Sequence, residues 1–128
     1  MQVRELMNDN PATVSPQDTL AKALATMADH KTRHVVVVDK DSVVGILSDR
    51  DLSIHFNSGN KTQQAWEQMQ VAEVMTPRPL TIGSMAEIRE AARLLLREAI
   101  SAMPVVDNGQ LAGLLSDRDF TRYFARKS

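Results

Sequence analysis

Two stretches of this chain carry residues whose type and spacing could do chemistry, Gly45-Ile46-Leu47-Ser48-Asp49-Arg50-Asp51 and Gly113-Leu114-Leu115-Ser116-Asp117-Arg118-Asp119. In each, a serine precedes an aspartate by three residues, where an apolar run gives way to a charged one. If that point is a helix N-terminus, unpaired backbone N–H groups and the positive dipole end lie there, and a carboxylate beside them can accept both hydroxyls of a ribose 2′,3′-diol. On this reading Ser48 and Ser116 face a sugar or phosphate edge, Asp51 and Asp119 take the diol, and Val14 and Ile82 flank a flat base. The same spacing is also a capping box, which a strand running into a helix needs. Capping alone accounts for both stretches, and the two roles are compatible.

The elements that would position these residues are themselves duplicated. Val3-Arg4-Glu5-Leu6-Met7 falls on Val71-Ala72-Glu73-Val74-Met75, an offset of 71 − 3 = 68. Without a gap, the same offset places Pro11 on Pro79, Thr13 on Thr81, Val37-Val38-Asp39 on Val105-Val106-Asp107, and Phe56 on Phe124. Two copies of one supersecondary unit follow. We divide the chain into a first repeat over 1–58, a linker with a short helix over 59–70, and a second repeat over 71–128.

Each repeat reads as strand, helix, strand, strand, helix, an α/β (α+β) fold. After the extended Ala12-Thr13-Val14, the run Ser15-Pro16-Gln17-Asp18 predicts a helix start, with Ser84-Met85-Ala86-Glu87 as its counterpart. The helical stripes are Leu20, Ala23, Leu24, Met27, Ala28 and Ile88, Ala91, Ala92, Leu95, Leu96. Val35 to Val38 is a β-branched run too apolar for a strand with a wet face, so it is expected to be buried on both. Hairpins follow at Asp39 to Ser42 and at Asp107-Asn108-Gly109, the latter with the Asn-Gly reversal signal. Trp66, the single tryptophan, falls in the linker helix and is expected to be a packing anchor.

Other side chains bound the possible functions. Arg33-His34 is a basic pair suited to phosphate, whereas its counterpart, Ser101-Ala102, carries no charge. A solvated patch with Lys31 accounts for that pair equally well. Arg50 and Arg118 suit phosphate or a helix-surface ion pair, and His55 reads as a packing residue. His30 and His34 lack a third ligand at recognisable spacing, so no metal site is expected. There is no Gly-x-Ser-x-Gly, Gly-x-x-x-x-Gly-Lys or His-Glu-x-x-His pattern and no Cys, so no catalytic residue is assigned and an enzyme is not expected. A formal net charge of −1 argues against a nucleic-acid partner. With no apolar run long enough to cross a bilayer and no signal-peptide core, no membrane partner is expected and the location is expected to be cytoplasmic.

Two copies of a unit with an early Met and Pro-x-Thr, a Val-Val-Asp closing its second strand, and Gly-x-x-Ser-x-x-Asp before its last helix resemble a pair of cystathionine-β-synthase-type (CBS) domains, a Bateman module. The resemblance covers essentially the whole chain. It implies two tandem repeats related by a pseudo-twofold axis, with two clefts that commonly take AMP, ADP, ATP or S-adenosylmethionine. Carried over by position, Ser48, Asp51, Ser116 and Asp119 match ribose-contacting residues, and Thr13, Val14, Thr81 and Ile82 match base-side residues. Arg33, His34 and Val36, with Ser101, Ala102 and Pro104, match positions that often contact base or phosphate.

The resemblance therefore implies a regulatory module that senses an adenine nucleotide or a related adenosyl ligand, with no obligatory cofactor. It also implies a flat homodimer built on the helices. Output is expected to pass through a separate effector protein, which the sequence leaves unknown, or through oligomeric state. A dimerisation scaffold with empty clefts is the alternative. Because the ribose-side residues are duplicated and the Arg33-His34 pair is not, two sites of unequal strength are expected.

Overall fold

The computed structural model describes residues 1–127. It resolves into two compact units, one of residues Ala12–Pro79 and one of Met1–Pro11 with the chain from Leu80 onward. We call these the first and second unit. The opening residues of each sequence repeat thus pack in the unit built by the other repeat. Among the described residues, no helix is long and apolar enough to cross a membrane.

In the first unit, β1 (Thr13–Val14) leads to α1 (Leu20–His30), the hairpin of β2 (His34–Asp39) and β3 (Ser42–Ser48), then α2 (Asp49–Asn57), α3 (Gln63–Glu67) and β4 (Thr76–Pro77). The sheet runs β1-β2-β3-β4, parallel between β1 and β2 and antiparallel thereafter. Lys40 and Asp41, at φ of 50° and 67°, form the two-residue reversal between β2 and β3. Two consecutive left-handed residues match the twist of the flanking strands. Val35, Val36 and Val37 have no exposed surface, so the strand's centre is buried on both faces as its composition predicts, while Val38 at the end of the run is half-buried.

The second unit repeats the plan with α4 (Ile88–Glu98), the hairpin of β5 (Ala102–Asp107) and β6 (Gln110–Ser116), and α5 (Asp117–Lys127). Single bridges take the place of its outer strands: Ile82 pairs with Val105 as Val14 pairs with Val37, and Asn8 pairs with Leu114 as Thr76 pairs with Ile46. The hairpin turns at Asn108 and Gly109, at φ of 52° and 79°.

The helix starts lie later than the sequence suggests. Thr19 caps α1 by accepting the Lys22 N–H at 3.2 Å, and Glu87 precedes α4 without a side-chain cap. Ser15–Asp18 instead closes a turn, with the Ser15 N–H on Asp18 Oδ2 at 2.8 Å. The carbonyls of Pro16 and Asp18 accept the N–H groups of Ala72 and Val71 at 2.9 and 2.8 Å. In the second unit the carbonyls of Ser84 and Ala86 accept those of Arg4 and Val3, both at 2.8 Å. A segment whose carbonyls dock another chain segment has none left to begin a helix.

Each unit has its own core. In the first, Leu20, Ala23 and Met27 of α1 meet Val14, Val35, Val37 and Leu47 of the sheet, with Leu52 and Trp66. In the second, Ala91 and Leu95 of α4 meet Ile82, Met103, Val105 and Leu115. Leu96, placed in the buried stripe by the sequence, is 84% exposed, and Leu94 packs against the core instead. One residue along a helix is a turn of about 100°, which carries Leu96 off the face that Ala91 and Leu95 define. Ala28 is likewise exposed.

Trp66 is 6% exposed, packs edge-on to Phe56 at 5.1 Å and donates its Nε1–H to His55 Nδ1 at 3.0 Å. It is a packing anchor, and His55 is its polar partner.

Candidate functional site

The strand registers decide which candidate residues share a surface. Thr13 lies opposite Val36 in the parallel pair, Val36 opposite Ile46, and His34 opposite Ser48. Cross-strand partners point the same way, and residues two apart on a strand share a face. Thr13, His34, Val36, Ile46 and Ser48 therefore occupy one face of the first unit's sheet. Val14, Val35, Val37 and Leu47 occupy the other, which is the helix-side core.

Val36 is fully buried yet belongs to no core cluster around the helices, in keeping with its place on the alternate face. The side chain of Val14 is 4% exposed within the core, so it does not stand on the face with Thr13 and Val36. Ile82 is in the same position in the second unit. Sequence position sets these two residues beside a base, but strand alternation turns their side chains inward.

Ser48 ends β3 and opens α2, where its hydroxyl accepts the Asp51 N–H at 3.0 Å. The Asp49 N–H donates to the Arg33 carbonyl at 2.9 Å, which ties the helix start to the residue preceding β2. The loop holding Arg33 and the N-terminus of α2 are thereby neighbours. Arg33 is exposed, and His34, Ser48 and Asp51 are half-buried. Among the described residues the Asp51 carboxylate accepts no intramolecular hydrogen bond.

The second unit places Thr81, Ala102, Pro104, Leu114 and Ser116 at the equivalent positions, with the Asp117 N–H on the Ser101 carbonyl at 2.9 Å. Its carboxylate is used differently. Asp119 Oδ2 accepts the Ser116 backbone N–H at 2.8 Å and lies 3.3 Å from the Ser116 hydroxyl, which donates to it. In the first unit serine caps aspartate, and in the second aspartate caps serine. Pro104 and Ala102 are buried and apolar where the first unit has Val36 and His34. The three-residue spacing reveals both boxes but carries no signal for which member of each accepts.

The glycine that opens each motif has a packing cause that sequence reading misses. A Cβ on Gly45 would lie 2.5 Å from Met75 Sδ and 3.1 Å from the Thr76 carbonyl oxygen. One on Gly113 would lie 2.6 Å from Met7 Sδ and 2.7 Å from the Asn8 carbonyl oxygen. The early methionine of one repeat therefore lies on the bare strand position of the other. The signal is present in the sequence as the paired recurrence of Met and Gly at the offset of 68.

The second unit also holds a bond that the first lacks. Asp107 Oδ1 accepts the Ser84 N–H at 3.0 Å, and the hydrogen bonds from the Ser84 side chain and then from its backbone lower the Asp107 carboxyl below the ordinary range. At the equivalent places stand Asp39 and Pro16, and proline has no N–H to give.

A family model for the CBS domain matches residues 3–57 and 71–126. The CBS domain-containing protein YhcV of Bacillus subtilis is 27% identical over 114 residues, 89% of this chain and 79% of that protein. Inosine-5'-monophosphate dehydrogenase of Mycobacterium tuberculosis is 36% identical over 119 residues, which cover 91% of this chain but 21% of the dehydrogenase. Among solved structures, that of CBSX2 in complex with AMP aligns with a TM-score of 0.81 at 30% identity, covering 98% of this chain and 97% of that one.

Proposed function

This chain belongs to the CBS-domain family, and on that premise we propose that it is a regulatory, non-catalytic module that binds an adenine nucleotide or related adenosyl ligand. The observation that carries the reading is the Asp51 carboxylate. It stands in the first turn of α2, has no intramolecular hydrogen bond among the described residues, and lies beside Ser48 and the loop that presents Arg33. A carboxylate with both oxygens available takes a ribose diol in a bidentate way, and Arg33 and His34 supply charge for phosphate. Thr13 and Val36 line the same face for a base. The AMP-bound relative supports the adenosyl part of the reading.

The second unit favours a weaker site. Ser116 and Asp119 are engaged with each other, and Ala102 and Pro104 offer neither charge nor a side-chain donor. Thr81, Ser116 and Asp119 nevertheless keep the ribose-side pattern, so this site fills after the first. The module acts in the cytoplasm as a homodimer that an effector protein reads, with ligand occupancy selecting the form that the effector meets.

A calorimetric and thermal-shift panel of AMP, ADP, ATP and S-adenosylmethionine tests this. Ligand at about 100 times its dissociation constant raises stability by about 2.7 kcal/mol through mass action. Asp51→Ala is expected to weaken binding about tenfold or more, the equivalent of about 1.4 kcal/mol. Asp119→Ala acts on a smaller, second binding step. Failure of every compound to shift the midpoint at millimolar concentration defeats the sensing reading in favour of a scaffold with empty sites.

A further inference from the structure

The linker between the two sequence repeats is fastened by a bond that depends on the placing of one proton. Trp66 of α3 is 6% exposed, and its indole N–H donates to Nδ1 of His55 on α2 at 3.0 Å. An indole nitrogen is a donor only. Nδ1 can therefore accept only while it carries no hydrogen, so the contact requires the neutral imidazole protonated on Nε2. A proton on Nδ1 turns the acceptor into a second donor. Two N–H groups then oppose each other, and a buried indole N–H loses its partner.

Little else holds the linker helix to its neighbour. α3 is five residues long, too short to persist unaided, and Trp66 is its one buried residue. The indole packs edge-on to Phe56 at 5.1 Å. Among the described residues no other hydrogen bond joins α3 to α2. The charged groups on the elements around the pair are Asp49 and Asp51 on α2, Glu67 on α3, and Lys22, Asp29 and His30 on α1, which packs against α3. Lys22 is paired with Asp18 at 3.7 Å, His30 Nδ1 is bonded to the Thr26 carbonyl at 3.0 Å, and none of these groups bonds to the His55 ring. His55 lies in the last turn of α2, where a positive charge meets the negative end of the helix dipole.

We propose that His55 is a proton-operated latch on the linker: with the ring neutral α3 is docked on α2, and with Nδ1 protonated Trp66 withdraws and α3 is released. Histidine changes charge between about pH 5 and 8, so docking is complete at the top of that range and lost towards its bottom. The latch sits one turn beyond Asp51 on the helix that carries the candidate site, yet it does not depend on the ligand reading. It belongs to the first unit alone. The counterpart of His55 is Tyr123, which packs against Phe124.

Trp66 is the single tryptophan, so its signals report this contact without a background. Hydrogen exchange of the indole N–H, corrected for its intrinsic rate, and acrylamide quenching are followed in the full chain from about pH 8 to pH 5. Protection of the indole N–H is expected to fall roughly tenfold, with red-shifted emission and stronger quenching, while the far-ultraviolet circular dichroism changes little. His55→Asn puts an amide oxygen where Nδ1 stands and cannot titrate, so this variant is expected to keep Trp66 protected throughout. A parent protein with equal protection at both ends of the range overturns the proposal, whether or not the variant folds. An equal loss of protection in His55→Asn also overturns it, tracing the response to His30 or His34.

Discussion

The two units are built on one plan at a fixed offset of 68 residues, yet they spend the same residue types differently. In the first, Ser48 serves the helix and the half-buried Asp51 carboxylate accepts no hydrogen bond among the described residues. In the second, Asp119 folds back on Ser116, and a further carboxylate, Asp107, holds the Ser84 turn. The first unit closes its sheet with short strands and adds α3 over its helix layer, while the second closes its sheet with single bridges. Duplication thus preserved the frame and left the side-chain bonds to diverge. A unit whose polar residues are tied internally gains local order at the expense of groups that can meet a ligand.

The sharpest way to break the comparison is at the motif glycines. Gly113→Ala would force a Cβ to within 2.7 Å of the Asn8 carbonyl, whose residue is fixed by two hydrogen bonds to Leu114 at 2.9 and 3.0 Å. Backbone held in this way does not yield cheaply, so a loss of about 3 kcal/mol is expected, at the upper end for overpacking. Gly45→Ala meets chiefly the flexible end of Met75, with the Thr76 carbonyl at 3.1 Å, and is expected to cost about 1 kcal/mol. Urea unfolding of the two variants measures the difference. Equal losses would mean that the outer strands of the two units are equally yielding.

That asymmetry also marks the limit of what the sequence makes legible. The repeat, the strand runs, the hairpins and the packing role of Trp66 follow from local periodicity and turn chemistry, which act within a few residues and leave a pattern in composition. The late starts of α1 and α4 follow from hydrogen bonds to Val71, Ala72, Val3 and Arg4, which lie more than 50 residues away in sequence from their acceptors. No local pattern encodes such a partner. Among the candidate site residues, Ser48 with Asp51 and Ser116 with Asp119 stand out by spacing, which does not say which member of each pair accepts. The inward turn of Val14 and Ile82 depends on strand register, which the β1 and β2 sequences do not state.

A smaller test concerns the boxes. Ser48→Ala removes the acceptor of the Asp51 N–H at 3.0 Å and is expected to destabilise the protein by about 1 kcal/mol. Ser116→Ala removes only the hydroxyl, which donates to Asp119 at 3.3 Å, and leaves the backbone N–H on the same oxygen at 2.8 Å, so a loss of about 0.5 kcal/mol or less is expected. Chemical denaturation of the two alanine variants at neutral pH resolves the order. A larger loss at Ser116 would show that the hydroxyl, and not the backbone, holds Asp119.

The smallest effect lies in acid. The Asp107 carboxyl is held below its ordinary value, first by the Ser84 side chain and then by the Ser84 backbone. A group whose folded value lies below its unfolded value stabilises the fold above the unfolded value, about pH 4, and loses that contribution as the pH falls through the folded value. Asp107→Asn therefore lowers the unfolding midpoint at pH 7, and the gap to the parent protein narrows as the pH drops below about 4. Midpoints followed from pH 7 to pH 3 check this: a constant gap for Asp107→Asn would assign its effect to packing and remove the charge-based distinction of the Ser84 turn.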